Sequence, residues 1–308
     1  MATAPHPTFA CLWCGTSWTV RAADDLEGFA KLCPDCLGKA GDNPFLRFRL
    51  RAALEARAAM TSAANPPSAP ALAVEAARPA PPSTASDMLA YDEATAGESD
   101  DWYLRRGRYE HGPIHDAAWH AEIDAAGRWL DGLPLQGRIV ELAAGTGWWS
   151  PLLASKGELW MYDAAEAPLE RARERLVAHR LRAHLHVRDA WAEPEGDPAD
   201  AVFAGFWLGH VERDRTAAFL GLAARWLRPG GRIAMIDSLP DPRSGASDHP
   251  APAGDRSVRR LANGREFTIV KVFRSAGEIA AALAAVGFTD VAVTTTGRFF
   301  VLATARLA

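Results

Sequence analysis

Short apolar runs alternate with helical segments over the second half of the chain, and this alternation constrains the fold more than any other feature. The predicted helices cover residues 114–130, 168–179 and 216–227. Strands separated by helices form βαβ units, whose strands lie parallel in one sheet. The sequence therefore predicts an α/β fold, with a mostly parallel sheet and helices on both faces. The predicted parallel strands cover residues 138–143, 158–162, 183–187, 201–207 and 232–237.

The last part of the chain has a different pattern. A helix over 275–286 opens with Ser275-Ala-Gly-Glu278, which is typical of a capping box. Two adjacent strands, 288–295 and 298–305, follow it and predict an antiparallel pair that closes the sheet. A separate hairpin is predicted over 257–273, where Asn-Gly at 263–264 favours a type I′ turn.

A glycine-containing loop follows the first predicted strand. It brings Gly145 and Gly147 to the start of a helix, where glycine lets the backbone approach a ligand and leaves amide groups free to bind it. Mononucleotide and dinucleotide sites share this pattern, and a tight turn without a ligand is the alternative. In a dinucleotide loop a third glycine would stand at position 150, which is Ser150 here. An NAD-dependent oxidoreductase is therefore disfavoured.

Acidic residues follow the next two predicted strands. Asp163 ends the second strand, where a carboxylate accepts hydrogen bonds from both hydroxyls of a ribose; its alternative role is to cap the next helix. Asp189 follows the third strand and is suited to an adenine amino group, and Trp191 to stacking on the base. Open α/β sheets bind ligands at the carboxyl ends of their strands, so the sequence predicts a nucleotide-type ligand there.

With these residues, the chain resembles the class I S-adenosylmethionine-dependent methyltransferases. The resemblance covers roughly residues 89–307 and implies a Rossmann-like sheet. Five motifs occur in the order that this family has, including the Pro-Gly-Gly turn before the fifth strand. They are VELAAGTG (140–147), MYDAAEAPLERARERL (161–176), VRDAW (187–191), FAGFWLGHV (203–211) and LRPGGRIAMID (227–237).

The resemblance implies that S-adenosylmethionine is the cofactor and assigns residues to its parts. Glu141, Ala143 and Gly145 would surround the methionine moiety, and Gly147 would shape the loop. Asp163 would hold the ribose, and Asp189 with Ala190 the adenine. A lid of helices before the first strand would cover the cofactor, with tyrosines near its methionine end. Ala143 departs from the family pattern, because many members have glycine there. The implied cofactor-binding set is Tyr91, Glu141, Ala143, Gly145, Gly147, Asp163, Asp189, Ala190 and Trp207.

Two residues are candidates for catalysis. Methyl transfer from a sulfonium is an in-line displacement, which needs the acceptor at attack distance and, for an acidic O–H, N–H or C–H, a group that removes the proton. His210, after the fourth strand, is the predicted base; a packed or hydrogen-bonding histidine is the alternative. Tyr103 in the lid is the second candidate, with a role in core packing as its alternative. The predicted function is methyl transfer to an oxygen, nitrogen or carbon atom of a small organic acceptor.

All four cysteines lie near the amino terminus. Two Cys-x2-Cys pairs separated by eighteen residues predict one structural, tetrahedral zinc site in a zinc-ribbon-like module, with a redox dithiol as the alternative. The first eight residues contain no basic segment followed by an apolar one, so we expect a cytoplasmic protein whose thiols stay reduced. The predicted zinc ligands are Cys11, Cys14, Cys33 and Cys36.

The role of this module is open between three possibilities. Some family members that methylate ribosomal RNA carry an amino-terminal zinc module, so an RNA base methyltransferase is the alternative function. Against RNA stand a net charge of −4 and an acidic stretch, 87–124, with ten acidic residues and three arginines. Besides docking RNA, the module could dock a protein partner or stabilise the chain.

Composition divides the chain into three parts. Residues 61–86 are mostly Ala, Pro, Ser and Thr, which have too little apolar bulk to form a core, so this stretch predicts an extended linker. No apolar run approaches the roughly 18 residues of a membrane span. The predicted parts are a zinc-ribbon-like module with a trailing helix (1–50), a linker (51–88) and a methyltransferase domain (89–308).

Basic residues cluster in the predicted hairpin. Beside an acceptor pocket they would suit a carboxylate or phosphate group of the substrate. A solvated edge that resists aggregation is the favoured interpretation at this stage. The cluster comprises Arg256, Arg259, Arg260, Arg265, Lys271 and Arg274.

Overall fold

A computed structural model describes residues 8–10, 17–19, 85–249 and 254–308. The chain divides into two compact units, Met1–Ala76 and Ala77–Ala308. In the first unit, strands β1 (Thr8–Ala10) and β2 (Ser17–Thr19) pair antiparallel, with Phe9 opposite Trp18. The four cysteines and the predicted trailing helix lie outside the described residues.

The second unit is built on a seven-stranded sheet whose order is β10-β11-β7-β6-β3-β4-β5. Strands β5, β4, β3, β6 and β7 are parallel, and β11 runs antiparallel between β7 and β10. This confirms the predicted Rossmann-like sheet and its terminal antiparallel pair. The strands are β3 (Arg138–Leu142), β4 (Glu158–Asp163), β5 (His184–Val187), β6 (Ala199–Gly205), β7 (Leu227–Ser238), β10 (Phe288–Thr295) and β11 (Phe300–Leu307).

Helices pack on both faces of the sheet. On one face Trp119, Leu153 and Leu169 are buried against the strands, and on the other Trp226 and Leu283. Burial of these apolar side chains drives the layers together. The helices are α1 (Ala85–Thr95), α2 (Ser99–Leu104), α3 (Pro113–Gly132), α4 (Ser150–Ala154), α5 (Glu166–Ala178), α6 (Thr216–Trp226) and α7 (Ala276–Ala285).

The capping box predicted at the start of α7 is present. The hydroxyl of Ser275 accepts a hydrogen bond from the Glu278 amide at 3.2 Å, and the Glu278 carboxylate accepts one from the Ser275 amide at 2.7 Å. Both bonds satisfy amides that the first helical turn leaves without partners. No helix among the described residues is long and apolar enough to span a bilayer.

Three local predictions differ from the structure. Helix α1 begins at Ala85, inside the predicted linker, with Asp87 in its first turn, where a negative charge favours helix formation. Strand β7 begins at Leu227 rather than at residue 232, so it includes the Pro-Gly-Gly segment that was predicted as a turn before the strand. The pairing of β7 with β6 is irregular at this point. The hairpin of β8 (Arg256–Arg260) and β9 (Glu266–Val270) is present, but its predicted type I′ turn is wrong. Gly264 has φ +82° while Asn263 does not have a positive φ, whereas type I′ needs both.

Candidate functional site

A cavity of about 580 Å³ opens at the carboxyl ends of β3, β4, β5 and β6. Helices α1 and α2 contribute to its wall from above the glycine loop. The cavity brings together most of the residues that the sequence singled out. Those that line it are Tyr103, Glu141, Ala143, Gly145, Asp163, Asp189, Ala190, Trp207 and His210.

The two glycines of the loop have different roles. Both lie in the left-handed region, with φ +55° at Gly145 and φ +69° at Gly147. A Cβ on Gly147 would stand 2.7 Å from the Cβ of Ala172 in α5, whereas a Cβ on Gly145 would meet nothing within 4 Å. Gly147 therefore packs the loop onto α5 beneath the cavity, and Gly145 faces the cavity. Ala143 also has a positive φ, +52°, which costs an alanine about 1–2 kcal/mol and which glycine adopts freely.

The Asp163 carboxylate joins the loop to the end of β4. Its Oδ2 accepts from the Gly145 amide at 2.8 Å, and its Oδ1 accepts from the Ala165 amide at 2.9 Å, just before α5. The side chain is buried, and burial raises the pKa of its carboxyl. Each carboxylate oxygen can accept a second hydrogen bond. Asp163 therefore supports the start of the helix and still has acceptor capacity toward the cavity.

Ser150 and Glu141 form a buried pair under the loop. The Ser150 hydroxyl donates to Glu141 Oε2 at 2.6 Å. Burial raises the pKa of Glu141 to about 8, because the apolar surroundings disfavour its charged form. The hydroxyl at position 150 thus holds a carboxyl group at the cavity, a role that glycine there could not have.

Two carboxylates that the sequence analysis did not identify fix the lid. Glu93 in α1 accepts from the Glu166 amide at 2.6 Å and the Ala167 amide at 3.1 Å, at the amino end of α5. Asp100 in α2 accepts from the Thr146 hydroxyl at 2.8 Å and from the Arg175 guanidinium at 2.5 Å. Their acidic stretch was visible in the sequence, but their partners lie 46 to 75 residues away and carried no sequence signal.

Aromatic rings form the lid side of the cavity. Tyr103 stacks on Trp148 with ring centroids 4.2 Å apart and planes 4° from parallel. Trp149 and Phe206 meet the Tyr103 ring edge-on, at 6.2 and 5.8 Å. Burial raises the pKa of Tyr103 far above neutrality, so its phenol stays protonated. The Tyr103 ring therefore forms part of the cavity wall, and its phenol keeps a proton that it can donate.

His210 ends a short 3-10 turn, Leu208–His210, that follows β6. Its Nδ1 lies 2.8 Å from the Val270 carbonyl oxygen, which can only accept, so Nδ1 carries the proton and Nε2 the lone pair. Burial, and then the charges of Lys271 and Arg259, lower the pKa of His210 to about 3. His210 is therefore a neutral imidazole at physiological pH. Arg274 holds the same turn by donating to the Leu208 carbonyl at 2.6 Å.

Comparison with known proteins agrees with this geometry. Residues 139–231 match the family model described as "Methyltransferase domain". The matched segment runs from β3 to the start of β7. Demethylmenaquinone methyltransferase from Clavibacter sepedonicus is 38% identical over 102 residues, which are 32% of this chain and 40% of that protein. The match thus spans well under half of the curated relative.

Solved structures extend the likeness beyond residues 139–231. The DhpI–SAM–HEP complex is 29% identical with a TM-score of 0.57, and the alignment covers 72% of this chain and 96% of that one. The DhpI–SAH complex gives 28% identity and a TM-score of 0.56 over the same shares. A Burkholderia thailandensis 1,6-didemethyltoxoflavin-N1-methyltransferase, 15% identical with a TM-score of 0.50 over 74% of this chain and 92% of that one, shares the fold.

Two of the predicted cofactor residues, Gly147 and Tyr91, do not line the first cavity. Gly147 is beneath it, as described above. Tyr91 lines a second cavity of about 630 Å³, and its ring meets Phe267 of the hairpin edge-on at 5.7 Å. The two cavities adjoin, since His210 and Tyr103 line both.

The basic residues of the hairpin segment separate into surface and interior groups. Arg256 pairs with Glu212 at 2.8 Å and Arg260 with Glu266 at 2.5 Å, as expected of a solvated edge. That interpretation is wrong for Lys271 and Arg274, which are buried, and it does not describe Arg259, which lines the second cavity.

Proposed function

We propose that this protein transfers a methyl group from S-adenosylmethionine to a small organic acceptor. The observation that carries the proposal is the cavity at the carboxyl ends of β3 and β4, where the glycine loop and the Asp163 carboxylate meet. A second cavity adjoins it, so that two small molecules have room to meet. The identity and order of the five sequence motifs support the same conclusion.

The residues that line the first cavity fit S-adenosylmethionine. Asp163 has the remaining acceptor capacity that a ribose diol requires. The indole Nε1 of Trp207 is buried without a hydrogen-bond partner in the described part of the chain, so it is a donor available to a ligand. Asp189 and Ala190 are assigned to the adenine, and Glu141, Ala143 and Gly145 to the methionine part.

When bound, S-adenosylmethionine supplies an electrophilic methyl group on a positively charged sulfur. The stacked Tyr103 and Trp148 rings, with Phe206, present π faces and edges to the same space, and π faces attract cations. Glu141 is held largely protonated by burial, and a ligand ammonium beside it would favour its ionised form. These groups orient a cationic ligand and exclude water from around it.

We assign His210 the role of the group that accepts a hydrogen bond or a proton from the methyl acceptor. Its Nε2 has a free lone pair because Nδ1 is engaged with the Val270 carbonyl. The residue lines both cavities, which is where an acceptor atom would lie relative to the methyl donor. Tyr103 would position the acceptor from the lid.

The relatives support a small acceptor. Demethylmenaquinone methyltransferase is named for a small organic substrate, and DhpI has been solved with SAM and HEP together. The position of Ser150, bonded to Glu141 where a dinucleotide loop has glycine, supports S-adenosylmethionine over NAD.

We also propose that Cys11, Cys14, Cys33 and Cys36 bind one structural zinc ion, in an amino-terminal module over residues 1–50 that a linker joins to the methyltransferase domain. Four cysteines in two pairs are the donor set that tetrahedral zinc prefers. Strands β1 and β2 pair on either side of the sequence that contains the first two cysteines. Such a site needs reduced thiols, as in the cytoplasm, and the module is suited to docking a protein partner. Metal analysis of the freshly purified, reduced chain should find one zinc per molecule; none would refute the site.

The functional test uses S-adenosylmethionine with a labelled methyl group. The full chain is incubated with it and a cell extract that has been divided into small-molecule and RNA fractions. We expect enzyme-dependent label in the small-molecule fraction. Label confined to RNA would refute the small acceptor, and absence of label together with absence of S-adenosylmethionine binding would refute the methyltransferase activity.

A further inference from the structure

The second cavity shares part of its wall with the first and differs from it in chemistry. Its walls come mainly from helices α1 and α2, the β8–β9 hairpin and the segment that follows β7. Its volume of about 630 Å³ is in the range of sites for small molecules. Several walls are aromatic: Tyr91, Trp102, Tyr109, Phe206 and Phe273.

Lys271 is a buried amine in this cavity; burial lowers its pKa, and the neighbouring Asp237 favours its charged form. Its side chain is 8% exposed, and its Nζ lies 3.7 Å from Asp237 Oδ1 and 3.4 Å from Ser238 Oγ. Asp237 Oδ2 is engaged elsewhere, because it accepts from the Gly209 amide at 2.6 Å. Nζ carries three protons, so the long contact to Asp237 leaves donor capacity for a ligand.

Arg259 is the second cation and has a different setting from its neighbours on the hairpin. It donates to Ser257 Oγ at 2.9 Å and lies 3.4 Å from His249 Nδ1. Within the described part of the chain no carboxylate lies within ion-pair distance of its guanidinium. Adjacent Arg260, in contrast, is paired with Glu266 outside the cavity.

Asp237 faces Lys271 with a negative charge, but the other titratable groups of the cavity do not neutralise Arg259. Asp241 is already paired with Arg298 at 2.5 Å. Burial, and then the negative charges of Asp163 and Glu93, raise the pKa of Asp92 to about 8, so it is mostly protonated at neutral pH. His249 and His210 are neutral at this pH. Burial, together with the smaller effect of nearby charges that include Arg259, lowers the pKa of His249 to about 4 and that of His210 to about 3. The cavity therefore has an excess of positive charge at Arg259.

We infer that the second cavity is the methyl-acceptor site and that the acceptor is a small acid, whose carboxylate, phosphonate or phosphate oxygens bind Arg259 and Lys271. This inference rests on the proposed function, which makes the first cavity the site of the methyl donor. A planar guanidinium suits two oxygens of such a group, and the aromatic walls suit an apolar remainder. Bound in this way, the rest of the acid extends toward His210, which both cavities share.

The test compares two arginines of one hairpin. Benzoate and phenylphosphonate are titrated calorimetrically into the full chain, with and without S-adenosylhomocysteine, and benzamide serves as the neutral counterpart of benzoate. We expect the anions to bind the native chain and Arg260→Gln equally, Arg259→Gln at least about tenfold more weakly, and benzamide at least about tenfold more weakly than benzoate. Lys271→Met, checked for folding by circular dichroism, should also weaken the anions.

Three results would overturn the inference: no anion binding to the native chain, equal binding by Arg259→Gln, or benzamide binding as tightly as benzoate. S-adenosylhomocysteine is titrated separately into the same samples. Its failure to bind would count against the proposed function alone, because the anion titrations without it still test the acid site.

Discussion

Replacing each glycine of the loop by alanine should separate packing from ligand binding. Both substitutions place an L-residue in the left-handed region, at a cost of about 1–2 kcal/mol. Gly147→Ala also brings a Cβ to 2.7 Å from the Ala172 Cβ and 3.1 Å from its Cα, an overlap with backbone that costs a further 1–3 kcal/mol or so. Gly145→Ala has no such overlap. We therefore expect a loss of about 2–5 kcal/mol for Gly147→Ala and about 1–2 kcal/mol for Gly145→Ala.

Urea denaturation followed by circular dichroism measures both values, and calorimetric titration with S-adenosylmethionine measures binding. Gly145→Ala should weaken binding more than its small loss of stability would suggest, because its methyl group enters the cavity. Gly147→Ala, at temperatures where it remains folded, should retain more of the affinity. Equal losses of stability in the two variants would refute the assignment of Gly147 to packing.

Three further predictions follow from the site. Burial raises the pKa of Glu141 from 4.5 to about 8, so its contribution to stability is fully present below pH 4.5 and is lost as the pH rises to 8. In urea titrations the native chain should therefore lose stability relative to Glu141→Gln by up to about 1.4 kcal/mol per pH unit over that range. A difference in stability that stays constant with pH would contradict this. The His210 ring should give ¹⁵N signals of a neutral Nδ1–H tautomer that do not titrate between pH 5 and 8, identified by their loss in His210→Gln; titration near pH 6.5 would contradict the buried, neutral assignment. Asp100→Asn should raise the Kd for S-adenosylmethionine about 2–10-fold by loosening the lid from Thr146 and Arg175, while Asp101→Asn, which has none of these contacts, should not; equal effects would remove Asp100 from the lid contacts.

The sequence predicted the sheet well because hydrophobic periodicity and helix signals are local. The strand predicted over 138–143 and the capping box at Ser275 depend on neighbouring residues; the strand is found at Arg138–Leu142 and the capping box at Ser275. The glycine loop and Asp163 were also predictable, because position at the end of a parallel strand determines where a side chain lies.

The missed features depend on contacts between distant parts of the chain. Glu93 and Asp100 act on residues 73 and 46 positions away, and no local pattern indicates those partners. The hairpin turn was mispredicted because Asn-Gly fits more than one turn type, and here only Gly264 takes the left-handed conformation. Likewise, the six basic residues of the hairpin segment look alike in the sequence. Only the fold shows that Arg259 and Lys271 line a cavity while others lie on the surface.

Calorimetric titration of S-adenosylmethionine into the native chain and Asp163→Asn tests the central claim most directly. An asparagine amide keeps one acceptor oxygen and loses the charge and the second acceptor that the loop and a ribose would share. We predict one molecule bound per native chain, an affinity about 10²-fold lower in Asp163→Asn, and no binding of NAD. Absence of S-adenosylmethionine binding by the native chain, or equal affinity in the two proteins, would contradict the account.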